Sequence, residues 1–250
     1  MKKTEEQGNA GPIISVIVIV TKDDQFAKAR TYIESQTVYS EVEIVPLKNY
    51  NNCNFSSAAE ALNYGGKMAN GDILIFMHQD VYLHDPAALE KCKNFLLNSS
   101  LNTIIGAAGV CLSDGILHSD IYDADGKLFG PKLYGKIAEA ISLDECFLAM
   151  TKNTWQQMPF DEETCDDWHF YGVDISYTNM LRGGKNFIYP LNICHESGGN
   201  IYAKGFRKTL YQIIKKYKHR VDKLLTPCVQ VPCSSVGYLK FLIKLKLRKY

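Results

Sequence analysis

The chain has 250 residues, 46% of them hydrophobic, with 28 Lys and Arg against 27 Asp and Glu. That is enough apolar material for one sizeable core, and too little charge bias to mark the whole as nucleic-acid-binding. The first apolar run, Ile13 to Val20, stops at Lys22-Asp23-Asp24, too short for a membrane span and wrongly flanked for a signal peptide. None of the eight cysteines forms a C-x-x-C pair, which excludes zinc ribbons and thioredoxin-type sites and leaves reduced thiols in a cytoplasmic protein as the expectation.

The charge balance hides an asymmetry. Residues 201–250 carry 13 Lys and Arg against one acid, Asp222, while the remainder holds 15 bases and 26 acids. A membrane surface or a phosphate-bearing substrate would match the basic end. Nucleic acid fits less well, because no reading motif is present and the acidic remainder would oppose it.

Residues 1–12 are polar and read as a flexible N-terminus. Ile14 to Val20 is β-branched and nearly continuous, as in a central parallel strand. Asp23 or Asp24 then caps a helix to about Gln36, Val42 to Leu47 forms a second strand, and Ser56 or Ser57 opens a second helix that Gly65-Gly66 should bend or end. Ile73 to Met77 is unbroken apolar sequence, a strand covered on both faces, and it ends abruptly in His78-Gln79-Asp80. Open α/β sheets bind ligands beyond the carboxyl ends of their strands, so these three residues stand where a ligand is expected. Asp80 can supply oxygen to a hard cation bridging a diphosphate, and His78 a nitrogen or a hydrogen bond.

A third helix over Ala87 to Leu97 and a fourth strand over Thr103 to Val110 follow, then an irregular excursion from Cys111 to Lys136. Asp120, Asp123 and Asp125 lack the glutamate a calcium loop requires. Asp144-Glu145 again puts polar groups beside an apolar run. The densest polar and aromatic cluster is Asp166-Asp167-Trp168-His169-Phe170-Tyr171-Gly172-Val173-Asp174, with a helix starting near Asp174 and stopping at Gly183-Gly184. A carboxylate beside Trp168 and Tyr171 can cap that helix or act as a base at the edge of a sugar-sized cleft. Ile188 to Ile193 reads as a last strand, with His195 leaving its end before flexible glycines. Apolar positions from Phe206 to Leu225 keep helical spacing, and residues 238–250 fit helix and strand periods equally while resembling an interfacial segment.

These stretches, in this order, resemble the family 2 glycosyltransferases of GT-A fold over most of residues 13–200. The resemblance implies an α/β, Rossmann-like nucleotide-sugar-binding domain with a mostly parallel central sheet flanked by helices. Residues 13–110 would form its nucleotide-binding half, 111–200 its acceptor-binding half, and 201–250 a basic helical extension. In such proteins the end of the first strand, here Val20 and Thr21, and the end of the second, near Asn49, flank the nucleotide, and the stretch through Asn63 leads to the acidic metal motif. Here that motif reads His78-Gln79-Asp80 in place of two aspartates, a variant similar to one seen in a subgroup of such transferases.

The resemblance implies Asp80 and His195 as ligands of Mg2+ or Mn2+, and His78, Gln79, Lys204 and Arg207 as donor-binding residues. It implies Asp174 as the general base, with Val173 in place of the usual preceding acid, and Asp144, Trp168, His169 and Tyr171 on the acceptor side. The implied reaction is inverting transfer from a nucleotide-diphosphate sugar to a glycan or lipid-linked acceptor, by a cytoplasmic enzyme touching the inner face of the membrane. The alternatives are a sugar-nucleotide-binding module that has lost catalysis and a membrane-surface scaffold. A nucleotidyltransferase fits less well, since its glycine-rich first loop is absent.

Overall fold

The computed structural model describes residues 13–197 and 204–247. The chain opens β1 (Ile14–Val20), α1 (Asp23–Glu34), β2 (Val42–Lys48), α2 (Ala58–Met68) and β3 (Ile73–His78). Both β2 and β3 pair in parallel with β1, and the unbroken apolar run of β3 is that of a strand covered on both faces. Next come β4 (Val81–Leu83), α3 (Ala88–Leu97), β5 (Thr103–Gly106), β6 (Ala108–Cys111), β7 (Leu117–Ser119), β8 (Ile121–Tyr122), β9 (Ala138–Leu143) and β10 (Phe147–Thr151). The remainder is α4 (Lys152–Gln157), α5 (Tyr171–Leu181), β11 (Lys185–Ile188), β12 (Ile193–His195), α6 (Lys204–Tyr217), the hairpin β13 (Lys223–Leu225) and β14 (Gln230–Pro232), and α7 (Ser235–Leu247).

Nine strands form the central sheet in the order β2-β1-β3-β10-β5-β11-β9-β6-β7. Six run one way, while β10, β9 and β7 run against them, so the sheet is mostly parallel with antiparallel members in its second half. Its two faces carry separate cores. Val16, Val18, Ile75 and Met77 pack under α1 and α3 through Ala29, Ile33, Leu89 and Leu96. Ile17, Leu74 and Phe76 face α2, α5 and α6 through Leu62, Val173, Leu210 and Ile213. A small second sheet, β4-β12-β8, is attached beyond the end of β3, with His195 of β12 paired to Val81 of β4. This pairing matters for the site, because Val81 directly follows Asp80.

Several segments differ from the sequence reading. Gly65 and Gly66 lie inside α2 rather than ending it. A Cβ at Gly65 would come within 2.5 Å of Ile17, and one at Gly66 within 2.6 Å of the Trp155 ring, so the pair lets the helix lie close on the sheet. The strand expected over 103–110 is two strands divided at Ala107, and that expected over 188–193 is replaced by β11 and β12 on either side of it. The helix expected to reach Leu225 ends at Tyr217, with Leu224 and Leu225 in β13, and the ambiguous tail is helical through Leu247. The basic extension therefore contains a hairpin as well as helices. All eight cysteines are free thiols.

Candidate functional site

Three side chains meet where β3 ends. The His78 Nδ1 and His195 Nε2 atoms lie 3.3 Å apart, and His195 Nε2 is 3.5 Å from Asp80 Oδ1. One ligand atom from each of the three lies within 4.8 Å of the others, close enough to surround a single ion. Two imidazoles and one carboxylate suit a divalent ion of transition-metal character. Of the two ions that the resemblance implies, the site residues present fit Mn2+ better than Mg2+.

The electrostatics of the cluster are divided between its members. Burial alone would raise the Asp80 carboxyl, but hydrogen bonds from His195 and from the Ser197 N–H outweigh it and hold the group well below its usual range. Burial works against protonation of His195, yet the Asp80 bond and charge raise it overall. Burial and the neighbouring His195 charge push His78 down to about 4, so His78 is a neutral donor with its lone pair available. The other ring nitrogen of His78, Nε2, lies 2.9 Å from the Tyr171 hydroxyl, which also donates to the Glu145 carbonyl at 3.2 Å.

On the side of β1, the Gln79 amide ties two strand ends together. Its Oε1 accepts from the N–H of Thr21 at 2.7 Å and of Lys22 at 2.9 Å, and its Nε2 donates to Thr21 Oγ1 at 2.7 Å. Val20 is buried at the strand end, where its carbonyl accepts the Asn49 N–H at 2.8 Å. The side chain of Asn49 is itself fully buried, with Oδ1 accepting from the N–H groups of Asn54 and Phe55. It shapes the loop after β2 and presents no polar side-chain atom outward.

Asn63 is likewise engaged within the fold. Its Nδ2 donates to the Phe160 carbonyl and to Glu162, and its Oδ1 accepts from Phe160 N–H and the Trp155 indole. Asn63 thus clamps the Phe160 loop to α2, beside a cavity of about 530 Å³ that shares no residue with the histidine cluster. Arg207 is half-buried on α6, and its carbonyl accepts the Tyr238 hydroxyl. Lys204 begins α6, but its side chain lies outside the described residues, as do Gly198 and Gly199.

The acceptor-side residues are partly assembled. Tyr171 opens α5 and is almost fully buried, bridging His78 to the β9–β10 turn, so it braces the site from beneath. Asp144 is half-exposed in that turn, where its Oδ1 accepts the Cys146 N–H at 3.0 Å. Trp168 and His169 are half-buried, and His169 sits edge-on to Phe206 of α6.

Asp174 departs most from expectation. It is 2% exposed beneath α6, with Oδ1 2.7 Å from Lys216 Nζ and 2.8 Å from the Tyr217 hydroxyl, and Oδ2 2.8 Å from the same lysine. Burial pushes its carboxyl up, and Lys216 and Tyr217 offset only part of that. A base must reach the proton it removes. With both oxygens engaged beneath a packed helix, Asp174 holds α5 to α6, and the base role expected of it does not follow from this geometry. Lys216 also bonds Asp161, and Lys208 bonds Asp166, so the acidic stretch at 161–174 is a partner of the basic extension within the same chain.

Sequence reading noted Glu145 beside Asp144 and an apolar run but assigned it no role. It is half-buried, its Oε1 accepts the Gly172 N–H at 3.3 Å, and burial and the Asp144 charge hold its carboxyl well above the usual range.

The model of a family described as "Glycosyltransferase like family" matches residues 15–194. No curated protein matches. Among solved structures, that of GalNAc-T7 with UDP, GalNAc and Mn2+ is similar with a TM-score of 0.59 at 12% identity, covering 92% of this chain and 53% of that one. A mannosyltransferase, PcManGT from Pyrobaculum calidifontis in complex with GDP-Man and Mn2+, is similar with a TM-score of 0.54 at 13% identity, covering 84% of this chain and 65% of that one. The chain thus spans less than two thirds of the length of either neighbour, and at these identities the likeness establishes the GT-A fold.

Proposed function

The chain belongs to the glycosyltransferase-like family, and from that membership we propose that it moves a sugar from a nucleoside-diphosphate sugar to a hydroxyl acceptor, with inversion at the anomeric carbon. The observation that carries this reading is the convergence of His78, Asp80 and His195 within 4.8 Å at the carboxyl end of a central strand. These three would hold the divalent ion, which when bound supplies positive charge to the departing diphosphate. Thr21 and Gln79 form the rim on the nucleotide side, with Arg207 and Lys204 as candidate cations toward the phosphates. Asp144, Trp168 and His169 line the acceptor side, braced by Tyr171.

A thermal-shift screen of nucleoside diphosphates with and without Mn2+ tests the reading. A matching nucleotide at about 100 times its Kd adds roughly 2.7 kcal/mol of stability. For a chain of this size that raises Tm by roughly 5–10 °C. Sugar release or transfer from the corresponding donor should accompany it, and a screen without any shift would end the proposal. A second reading, a sugar-nucleotide-binding module without catalysis, is favoured by the burial of Asp174 under α6. Metal-independent binding with no turnover across UDP- and GDP-sugars would select it.

We also propose peripheral membrane contact through α7, consistent with a lipid-linked acceptor. Val236, Leu239 and Ile243 recur at helical spacing and are 63%, 58% and 51% exposed, with Lys240, Lys244 and Lys246 exposed beside them. Among the described residues no helix is long and apolar enough to cross a membrane. Apolar insertion plus ~1 kcal/mol per basic residue near anionic lipid is the expected driving force. Vesicles containing phosphatidylserine should co-sediment the protein, and combined Leu239→Ser, Ile243→Ser and Lys240→Glu substitutions should release it. Equal pelleting of both proteins would remove α7 from the membrane.

A further inference from the structure

We infer that Glu145 is the general base of the transfer, its carboxylate taking the proton of the incoming hydroxyl from a seat against the first turn of α5. This rests on the transfer reading above and supplies what that reading lacks once Asp174 is committed elsewhere. An alcohol attacks poorly without a positioned proton acceptor, and the acceptor needs reach and a free lone pair.

Glu145 has both. It sits in the turn between β9 and β10, the same turn whose Cys146 carbonyl accepts the His78 N–H at 2.9 Å. Its own carbonyl is joined through the Tyr171 hydroxyl to His78, so its backbone is fixed relative to the candidate metal ligands. The carboxylate is touched by backbone donors alone, the Gly172 N–H at 3.3 Å and the backbone of Phe170, and among the described residues it has no ion-pair partner. The residue is half-buried and keeps some exposure, where Asp174 is sealed.

Gly172 supplies the independent observation. A Cβ built there would fall 2.8 Å from Glu145 Cγ, so any larger residue would evict the Glu145 side chain from its seat. The helix start is therefore cut back to admit a carboxylate arriving from the neighbouring turn. A carboxyl held above its usual range by burial and Asp144 is also a stronger acceptor near neutral pH. In the step, the hydroxyl O–H bond yields its proton to a Glu145 oxygen and its electron pair forms the bond to the anomeric carbon. The anomeric C–O bond to phosphate breaks, and its electrons leave on the diphosphate.

The test measures turnover of UDP- and GDP-sugars with Mn2+ by wild type, Glu145→Gln, Glu145→Asp, Gly172→Ala and Asp174→Asn, with melting temperature and nucleoside-diphosphate binding followed in parallel. Glu145→Gln should lower kcat ~10²–10⁴-fold with binding unchanged and should lose the acidic limb of the pH–rate profile. Glu145→Asp should recover part of the rate, and Gly172→Ala should fall with Glu145→Gln. A Glu145→Gln enzyme within about threefold of wild type overturns the assignment, as does an Asp174→Asn enzyme that melts normally but has lost turnover. A wild-type chain inert toward every donor would instead sink the transfer reading, and this assignment with it.

Discussion

Replacing Asp80 with Asn is expected to abolish the Mn2+-dependent part of nucleoside-diphosphate binding and to lower turnover by about 10³-fold. The substitution keeps the shape of the side chain and an oxygen for the Ser197 N–H, so the fold around it should survive. What it removes is the one negative charge among the three candidate ligands, leaving two neutral imidazoles to hold a divalent ion. A metal is worth several kcal/mol of charge stabilisation to such a reaction, and each ~1.4 kcal/mol is tenfold in rate. Because two of the three donors are nitrogen, Mn2+ should support wild-type binding better than Mg2+, which prefers oxygen. Thermal shift with each ion, on wild type and Asp80→Asn, reads both effects. Equal Mn2+ responses in the two proteins would detach Asp80 from the metal.

The second large effect falls on stability. Lys216→Met should cost about 3 kcal/mol near neutral pH, because it strands a carboxylate that is 2% exposed and 2.7 Å from its one cationic partner among the described residues. The pH dependence has a definite sign. Burial already raises the Asp174 carboxyl in the folded chain, and losing Lys216 raises it further. An acid with a folded pKa above its unfolded one contributes full stability below the unfolded pKa and loses it as pH rises through the folded value. The penalty of Lys216→Met should therefore shrink on acidification from pH 7.5 toward 5, measured by urea unfolding at each pH. A penalty independent of pH would mean that the lysine acts through packing alone.

The legible parts of this chain were those where local pattern and burial coincide. Ile14 to Val20, broken only by Ser15, and Ile73 to Met77 are apolar because helices cover both faces of β1 and β3, and the second run alone locates His78 and Asp80 at a strand end. The capping box at the start of α2 is equally local, with Ser57 accepting the Glu60 N–H at 3.2 Å. Gly65 and Gly66 read as a break because propensity cannot register Ile17 and Trp155 pressing on the helix from distant segments. Leu224 and Leu225 kept a helical period by coincidence, since β13 buries Leu224 through an unrelated geometry.

Asp174 shows the same limit at the site. A carboxylate three residues beyond Tyr171 reads as a base, and the lysine that claims it lies 42 residues later on another helix. The one local hint of a different arrangement was Gly172, a glycine in the first turn of a helix, but its meaning depends on Glu145 arriving from a turn 27 residues earlier.

The rung joining Val81 to His195 in the small second sheet has a consequence for how this protein can vary. It makes the gap between the carboxylate of Asp80 and the ring of His195 a property of ladder register instead of loop length. Sliding that ladder by one residue would turn the imidazole to the opposite face. Descendants can lengthen or trim the exposed turn at 123–127 at small cost, whereas a single inserted residue within Gln79–Leu83 or Ile193–His195 would disperse the three ligands at once.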